Sequence, residues 1–220
     1  MFRKLIIAIL LTSPIFAKTF NLEALYGYGY ESTPTEFGKL KGSSHSGALR
    51  AIFFTENFAH EVLGRYTFSP SAKIDNEKAK YNTWEAEYRF GYRMDNDMAK
   101  LGMLSGSAYL GLGYQSWTLK DTISNDKYTT NYIYLPFGFW GEDAIGESGF
   151  KTRYGLNFKA MLFDDSTDKF KWDFLLGGKV YAGVGYSFGG VMDIFAQAFF
   201  TYNTPIKNLK MYGVEAGIQF

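Results

Sequence analysis

The chain has 220 residues, no cysteine, and 23 basic side chains against 22 acidic ones. That length suits one domain or one barrel, and the near-zero charge supplies no global field that would draw nucleic acid or another polyanion. Absence of cysteine excludes a disulfide framework, a thiolate zinc site and a lipid-anchoring cysteine. Aromatic residues make up 19%, with 24 glycines and only 5 prolines, a composition that favours strands. The mean hydropathy of −0.17 is compatible with a membrane barrel, in which only alternate residues face lipid.

Residues 1–20 read MFRKLIIAILLTSPIFAKTF. Arg3 and Lys4 precede a short apolar run at 5–11, and Ser13-Pro14 interrupts it ahead of the small residue Ala17. This is the order of a secretory signal peptide, with cleavage expected after Ala17 and residues 18–220 as the mature chain. The apolar run is shorter than the roughly 20 residues a spanning helix needs. Loss of Arg3 and Lys4 takes the 23 basic residues to 21, against 22 acidic ones.

From Phe20 onward the pattern is period two, which sends successive side chains to opposite faces of a strand. Residues 20–30 set Leu22, Ala24, Tyr26, Tyr28 and Tyr30 against Glu23, Gly27 and Gly29. Residues 48–54 form a less clear strand carrying Arg50, and 58–68 alternate Val62, Tyr66 and Phe68 with Glu61, Leu63 and Arg65. The clearest case is 84–93, WEAEYRFGYR, with Trp84, Ala86, Tyr88, Phe90 and Tyr92 on one face and Glu85, Glu87, Arg89 and Arg93 on the other. Strands follow at 108–114, at 132–140, where both faces are apolar, and at 154–162, with Lys159 opposed to Leu156 and Phe158. Three more follow at 174–188, 192–202 and 212–220, carrying Lys179, Asp193 and Glu215. Polar loops are expected near 32–44, 69–80, 120–128, 164–171 and 203–208, alternating with short turns near 56–57, 94–97 and 189–190 and a longer one at 141–149. Long loops on one side and short turns on the other are the plan of outer-membrane barrels. The expectation is an all-β, closed antiparallel transmembrane β-barrel of ten strands, with eight as the alternative.

The last strand alternates Tyr212, Val214, Ala216, Ile218 and Phe220 with Gly213, Glu215, Gly217 and Gln219, and ends on the aromatic. Here the chain resembles the small bacterial outer-membrane barrel proteins of the OmpX and OmpA kind. The resemblance implies that Tyr212, Ile218 and Phe220 act as an assembly signal read by the barrel-assembly machinery. It also implies residence in the cell outer membrane, among lipids and lipopolysaccharide, as a monomer.

The barrel reading turns the charged faces inward. Glu23, Arg50, Glu61, Arg65, Glu85, Glu87, Arg89, Arg93, Arg153, Lys159, Lys179, Asp193 and Glu215 are then lumen-lining, and the near balance of sign predicts mutual pairing, with Arg89 meeting Glu85 or Glu87. Gly27, Gly29, Gly111, Gly113, Gly183 and Gly185 fall inward in G-x-G pairs, leaving room for long arginines or for a water path. None opens a helix after a strand, so none is a dinucleotide fingerprint. The four tryptophans, Trp84, Trp117, Trp140 and Trp172, fall near strand ends, where indoles suit the headgroup zone.

No cofactor motif is present. The function expected is non-enzymatic, structural or a narrow small-solute channel. The enzymatic alternative is a lipid-modifying hydrolase built on His45 and the serines around it, Ser43, Ser44 and Ser46, at the outer rim. Gly47 stands where a His-x-Ser pattern would need serine. Asp164-Asp165 is similar to the acidic pair of the omptin proteases, but the His-Asp pair those enzymes also need is missing. With Asp168 it forms an acidic tip of no EF-hand spacing. The lysines at 39–41 and 73–80 suit solvated loop faces or lipopolysaccharide phosphates.

Overall fold

A computed structural model describes residues 19–35, 38–94, 106–121, 127–164, 175–189, 191–203 and 208–220. The expected signal peptide, the expected acidic loop tip with Asp165 and Asp168, and Trp172 lie outside the described residues. The described strands are β1 (Thr19–Thr35), β2 (Gly38–Phe54), β3 (Phe58–Ser69), β4 (Lys73–Ile74), β5 (Glu77–Arg93), β6 (Ser107–Asp121), β7 (Lys127–Ala144), β8 (Phe150–Asp164), β9 (Leu175–Phe188), β10 (Met192–Tyr202) and β11 (Lys210–Gln219). All pairings are antiparallel, and β1 bonds to both β2 and β11, so the sheet closes on itself. Ten strands form the ring. The two-residue β4 stands outside it, bridging β2 and β5 as part of a hairpin that rises above the wall.

Alternation decides which side of the wall each residue takes. Odd positions of β1, β3, β5, β6, β8, β9, β10 and β11 and even positions of β2 turn inward. The outward positions are large and apolar: Leu49, Leu110, Val184 and Val214 are each more than half exposed. A water-soluble protein rarely leaves such a continuous surface bare; a barrel in lipid requires it. Trp84 and Tyr114 pack together near one end of this band, and Phe58, Phe90 and Tyr92 near the other. The eight residue steps from Trp84 to Tyr92 span about 27 Å of strand, roughly 20 Å of height after a tilt near 40°, close to the apolar band of such barrels.

The strands run further than hydropathy suggests. Segments read as loops at 32–44 and 69–80 are largely strand, β6 runs on to Asp121 and β7 begins at Lys127, and β5 starts at Glu77 rather than Trp84. Beyond the bilayer the wall needs no apolar face, yet its backbone bonds still pair, so alternation fades while the sheet continues. The 69–80 hairpin turns at Asp75 and Asn76, both at positive φ, and the Lys39 amide donates to Asp75 Oδ1 at 2.9 Å. The turns at the opposite end, which holds Thr19 and Phe220, are tight at residues 55–57 and 145–149. By the plan of such barrels this is the periplasmic end.

The interior is layered. Leu40, Ala72, Ala79, Tyr81, Trp117 and Leu119 form an apolar cap at the loop end. Ile52, Ala59, Tyr109 and Trp140 form another toward the periplasmic end. Trp117 and Trp140 therefore point inward, which corrects their expected place in the headgroup zone; Trp84 faces out.

Candidate functional site

Between the two apolar layers the bore is filled by charge. Glu61, fully buried, accepts from Arg50 Nη2 at 2.8 Å and Nε at 3.0 Å, and from the Trp140 indole at 2.5 Å. Arg50 also reaches Glu23 at 3.4 Å, whose other oxygen takes Arg153 Nη2 at 2.8 Å. Arg153 Nε stands 2.8 Å from Glu142. Arg89 donates from Nε to Glu87 at 2.6 Å and stands 3.5 Å from Glu61. Glu87 also accepts from the Tyr134 hydroxyl at 2.8 Å and lies 3.3 Å from Lys159, which binds Glu85. Arg89 thus takes Glu87, as expected for one of its two candidates, and Glu85 goes to Lys159 instead.

A second cluster centres on Glu215. Its carboxylate accepts from Arg65 at 2.5 Å, from Lys179 at 2.6 and 2.7 Å, and from the Gln197 amide at 2.8 Å. Near the periplasmic end Asp193 pairs with Lys151 at 2.5 Å, and Arg93 donates to the Thr55 carbonyl at 3.3 Å. All thirteen lumen candidates turn inward. Alternation also offered Lys151 and Glu142, which the reading by charged faces passed over. Most of the cations also rest on a ring: Arg153 on Phe195 at 3.5 Å, Arg50 on Trp140 at 4.4 Å, Arg89 on Tyr109 at 4.6 Å and Lys179 on Phe199 at 4.6 Å.

Several of these contacts reach across the bore, three ion pairs among them. Glu23 and Arg153 sit on β1 and β8, Glu85 and Lys159 on β5 and β8, and Arg65 and Glu215 on β3 and β11, none of which are neighbours. The space among them is a cavity of about 130 Å³. A vestibule of about 430 Å³ at the periplasmic end reaches as far as Glu23, Arg93 and Trp140.

Strand β7 explains how a two-sided apolar sequence serves a polar lumen. Tyr132, Tyr134 and Trp140 turn inward and fill volume with their rings, and the Tyr134 hydroxyl and Trp140 indole donate to Glu87 and Glu61. Two of the inward glycines, Gly113 and Gly155, make room for tyrosine rings. A Cβ on Gly113 would lie 2.3 Å from the Tyr134 ring, and one on Gly155 would lie 2.4 Å from Tyr181.

His45 faces outward. Its Nδ1 shares a hydrogen bond of 2.6 Å with the Tyr26 hydroxyl, and its ring packs on Tyr28 and Phe68. Ser43, on the same face, is bonded to Ser71 at 2.8 Å, while Ser44 turns inward to Met211. His60, near the periplasmic end, bonds the Tyr88 hydroxyl at 2.8 Å.

With a closed ten-stranded ring, an apolar exterior and a charged bore, the chain has the fold of a small outer-membrane β-barrel. Solved structures agree on the fold. The translocator domain of the autotransporter NalP from Neisseria meningitidis matches with a TM-score of 0.55 at 10% identity, covering 99% of this chain and 95% of that one. The transport unit of the autotransporter AIDA-I from Escherichia coli matches at 0.51 and 8% identity, covering 97% and 96%. Neisserial surface protein A aligns over 91% of this chain and 95% of its own, at 0.43 and 13% identity. No family model and no curated protein matches the sequence.

Proposed function

We propose that this chain is a non-enzymatic, monomeric barrel whose interior braces the wall and bars solutes, exported by its leader and inserted by the barrel-assembly machinery. The observation that carries this reading is the set of bonds spanning the bore: Arg153 to Glu23, Lys159 to Glu85 and Arg65 to Glu215. An open pore keeps its charges on the wall, in water. Here they meet across the axis, between apolar layers, around a void of only about 130 Å³. The non-enzymatic reading draws support from His45, whose ring nitrogen is engaged by Tyr26 and whose ring is enclosed by aromatics.

Single-channel recording in planar bilayers tests it. Wild type is expected to sit closed, with brief events of small amplitude. Arg89→Ala removes the guanidinium between Glu87 and Glu61 and should raise event frequency and amplitude. A large, steady wild-type conductance would sink the closed-barrel reading and make this a porin.

A further inference from the structure

The near-zero net charge conceals a local separation of sign. On the outward face at the loop end, the strand register aligns lysines in rows. Lys41 of β2 lies opposite Lys73 of β4, which lies opposite Lys78 of β5. One step along, Lys80 of β5 lies opposite Lys120 of β6, which lies opposite Lys127 of β7. Lys39 stands two residues from Lys41 on the same face, and all seven are exposed. Like charges directly opposite each other weaken a sheet. An anion seated between them removes that repulsion.

The rows stand at a defined height. Moving from them toward the membrane, the outward face passes through the short polar residues Ser43, Asn82 and Thr118. It then reaches Trp84 and Tyr114, and beyond those Leu49, Leu110 and Leu112. Lys80 is four residues from Trp84, about 13 Å of strand and roughly 10 Å of height after the tilt. Aromatic belts mark the headgroup level, so the ammonium groups stand at or just above the phosphates. Beside the rows a groove of about 560 Å³ is lined by Tyr28, Tyr30, Lys39, Lys41, Ser43 and Lys73. Its floor is aromatic and its rim is cationic. Asp75, also at its edge, is held in the hairpin turn by the Lys39 amide.

We propose that the two lysine rows and this groove form a site for the phosphate groups of an outer-leaflet glycolipid. The inference rests on the membrane-barrel fold and not on closure of the bore. A lipid is favoured over a soluble phosphate because the groove opens on the lipid-facing side, at headgroup height, with rings below the cations for acyl or sugar surfaces.

The test is native mass spectrometry of the folded barrel in neutral detergent. The probes are diphosphoryl lipid A, the same lipid A dephosphorylated, inorganic pyrophosphate and heparin. Wild type should retain the diphosphoryl lipid at least tenfold better than the other three. The triple variant Lys41→Gln/Lys73→Gln/Lys78→Gln should lose roughly tenfold or more of that retention, while Lys151→Gln, at the opposite end of the barrel beside Asp193, should not. If the triple variant does not fold, Lys73→Gln alone, outside the ring of strands, should weaken retention severalfold. Equal retention of the dephosphorylated lipid, or undiminished retention by the lysine variants, overturns the proposal. Equal binding of pyrophosphate or heparin overturns it in favour of a soluble polyanion.

Discussion

Replacing Glu61 with glutamine keeps the shape of a fully buried carboxylate in the bore and removes its charge. Glu61 is fully buried and takes two hydrogen bonds from Arg50 and one from Trp140, with Arg89 nearby. Removing one partner of a buried ion pair costs about 3–5 kcal/mol, chiefly because the surviving charge stays desolvated. Arg50 keeps Glu23 at 3.4 Å, a longer and weaker contact, so the cost should fall in that range rather than above it. Equilibrium unfolding in urea, which unlike guanidinium does not screen charge, reads this directly. With a slope of about 2–3 kcal/mol per molar for a chain of this size, the midpoint should drop by about 1–2.5 M. Pairing Glu61→Gln with Arg50→Met in a double-mutant cycle should recover at least about 2 kcal/mol of the summed losses, since the stranded cation is then gone. A shift under about 0.5 kcal/mol, or strict additivity in the cycle, would refute the idea that this pair is a desolvated brace.

Two further outcomes follow from the seam and from the ring-on-glycine contacts. Phe220 exchanges both of its backbone bonds with Leu22 at 2.9 Å, each worth about 1 kcal/mol. Deleting it should reduce the folded, heat-modifiable fraction in the outer membrane by more than that loss explains, because recognition during assembly is also removed; unchanged delivery and folding would refute the terminal signal. Gly113→Ala should cost about 1–3 kcal/mol by driving the Tyr134 ring off Glu87, whereas Gly47→Ala, with nothing within 4 Å of its added Cβ, should stay within about 0.5 kcal/mol. Equal melting of the two alanine variants would show that the ring does not depend on that glycine.

The closed all-β wall was legible because lipid on one side and packed charge on the other impose strict alternation. Residues 84–93 show it without exception, and both faces of β5 follow from it. The loop ends were less legible: outside the bilayer, Gly38, Lys39 and Lys80 carry strand bonds with no apolar face to advertise them. Arg65 and Glu215 could be set inside by parity, but not joined, because their contact depends on closure across strands far apart in the chain. Trp117 and Trp140 misled because a strand end is ambiguous in sequence: an indole there can face the headgroups or cap the bore. For Trp140 the deciding partner is Glu61, seventy-nine residues away.

The position of Glu215 has a consequence for how the barrel is completed. Its carboxylate rides on the last strand, and two of the groups it neutralises, Arg65 and Lys179, sit on β3 and β9. The Lys179 bond can form within the β9–β11 meander, but the Arg65 bond cannot form until β11 reaches β1, so sealing the wall and completing the charge pairing inside it are a single cooperative event. A barrel stalled one strand short holds two cations whose main counter-charge is still outside, and its bore stays wet and swollen. The final strand therefore works as a latch with its own proofreading: only the register that sets Glu215 opposite Gly27 and Gln197 brings the carboxylate to both cations, and a slip by one residue would turn it out into the lipid.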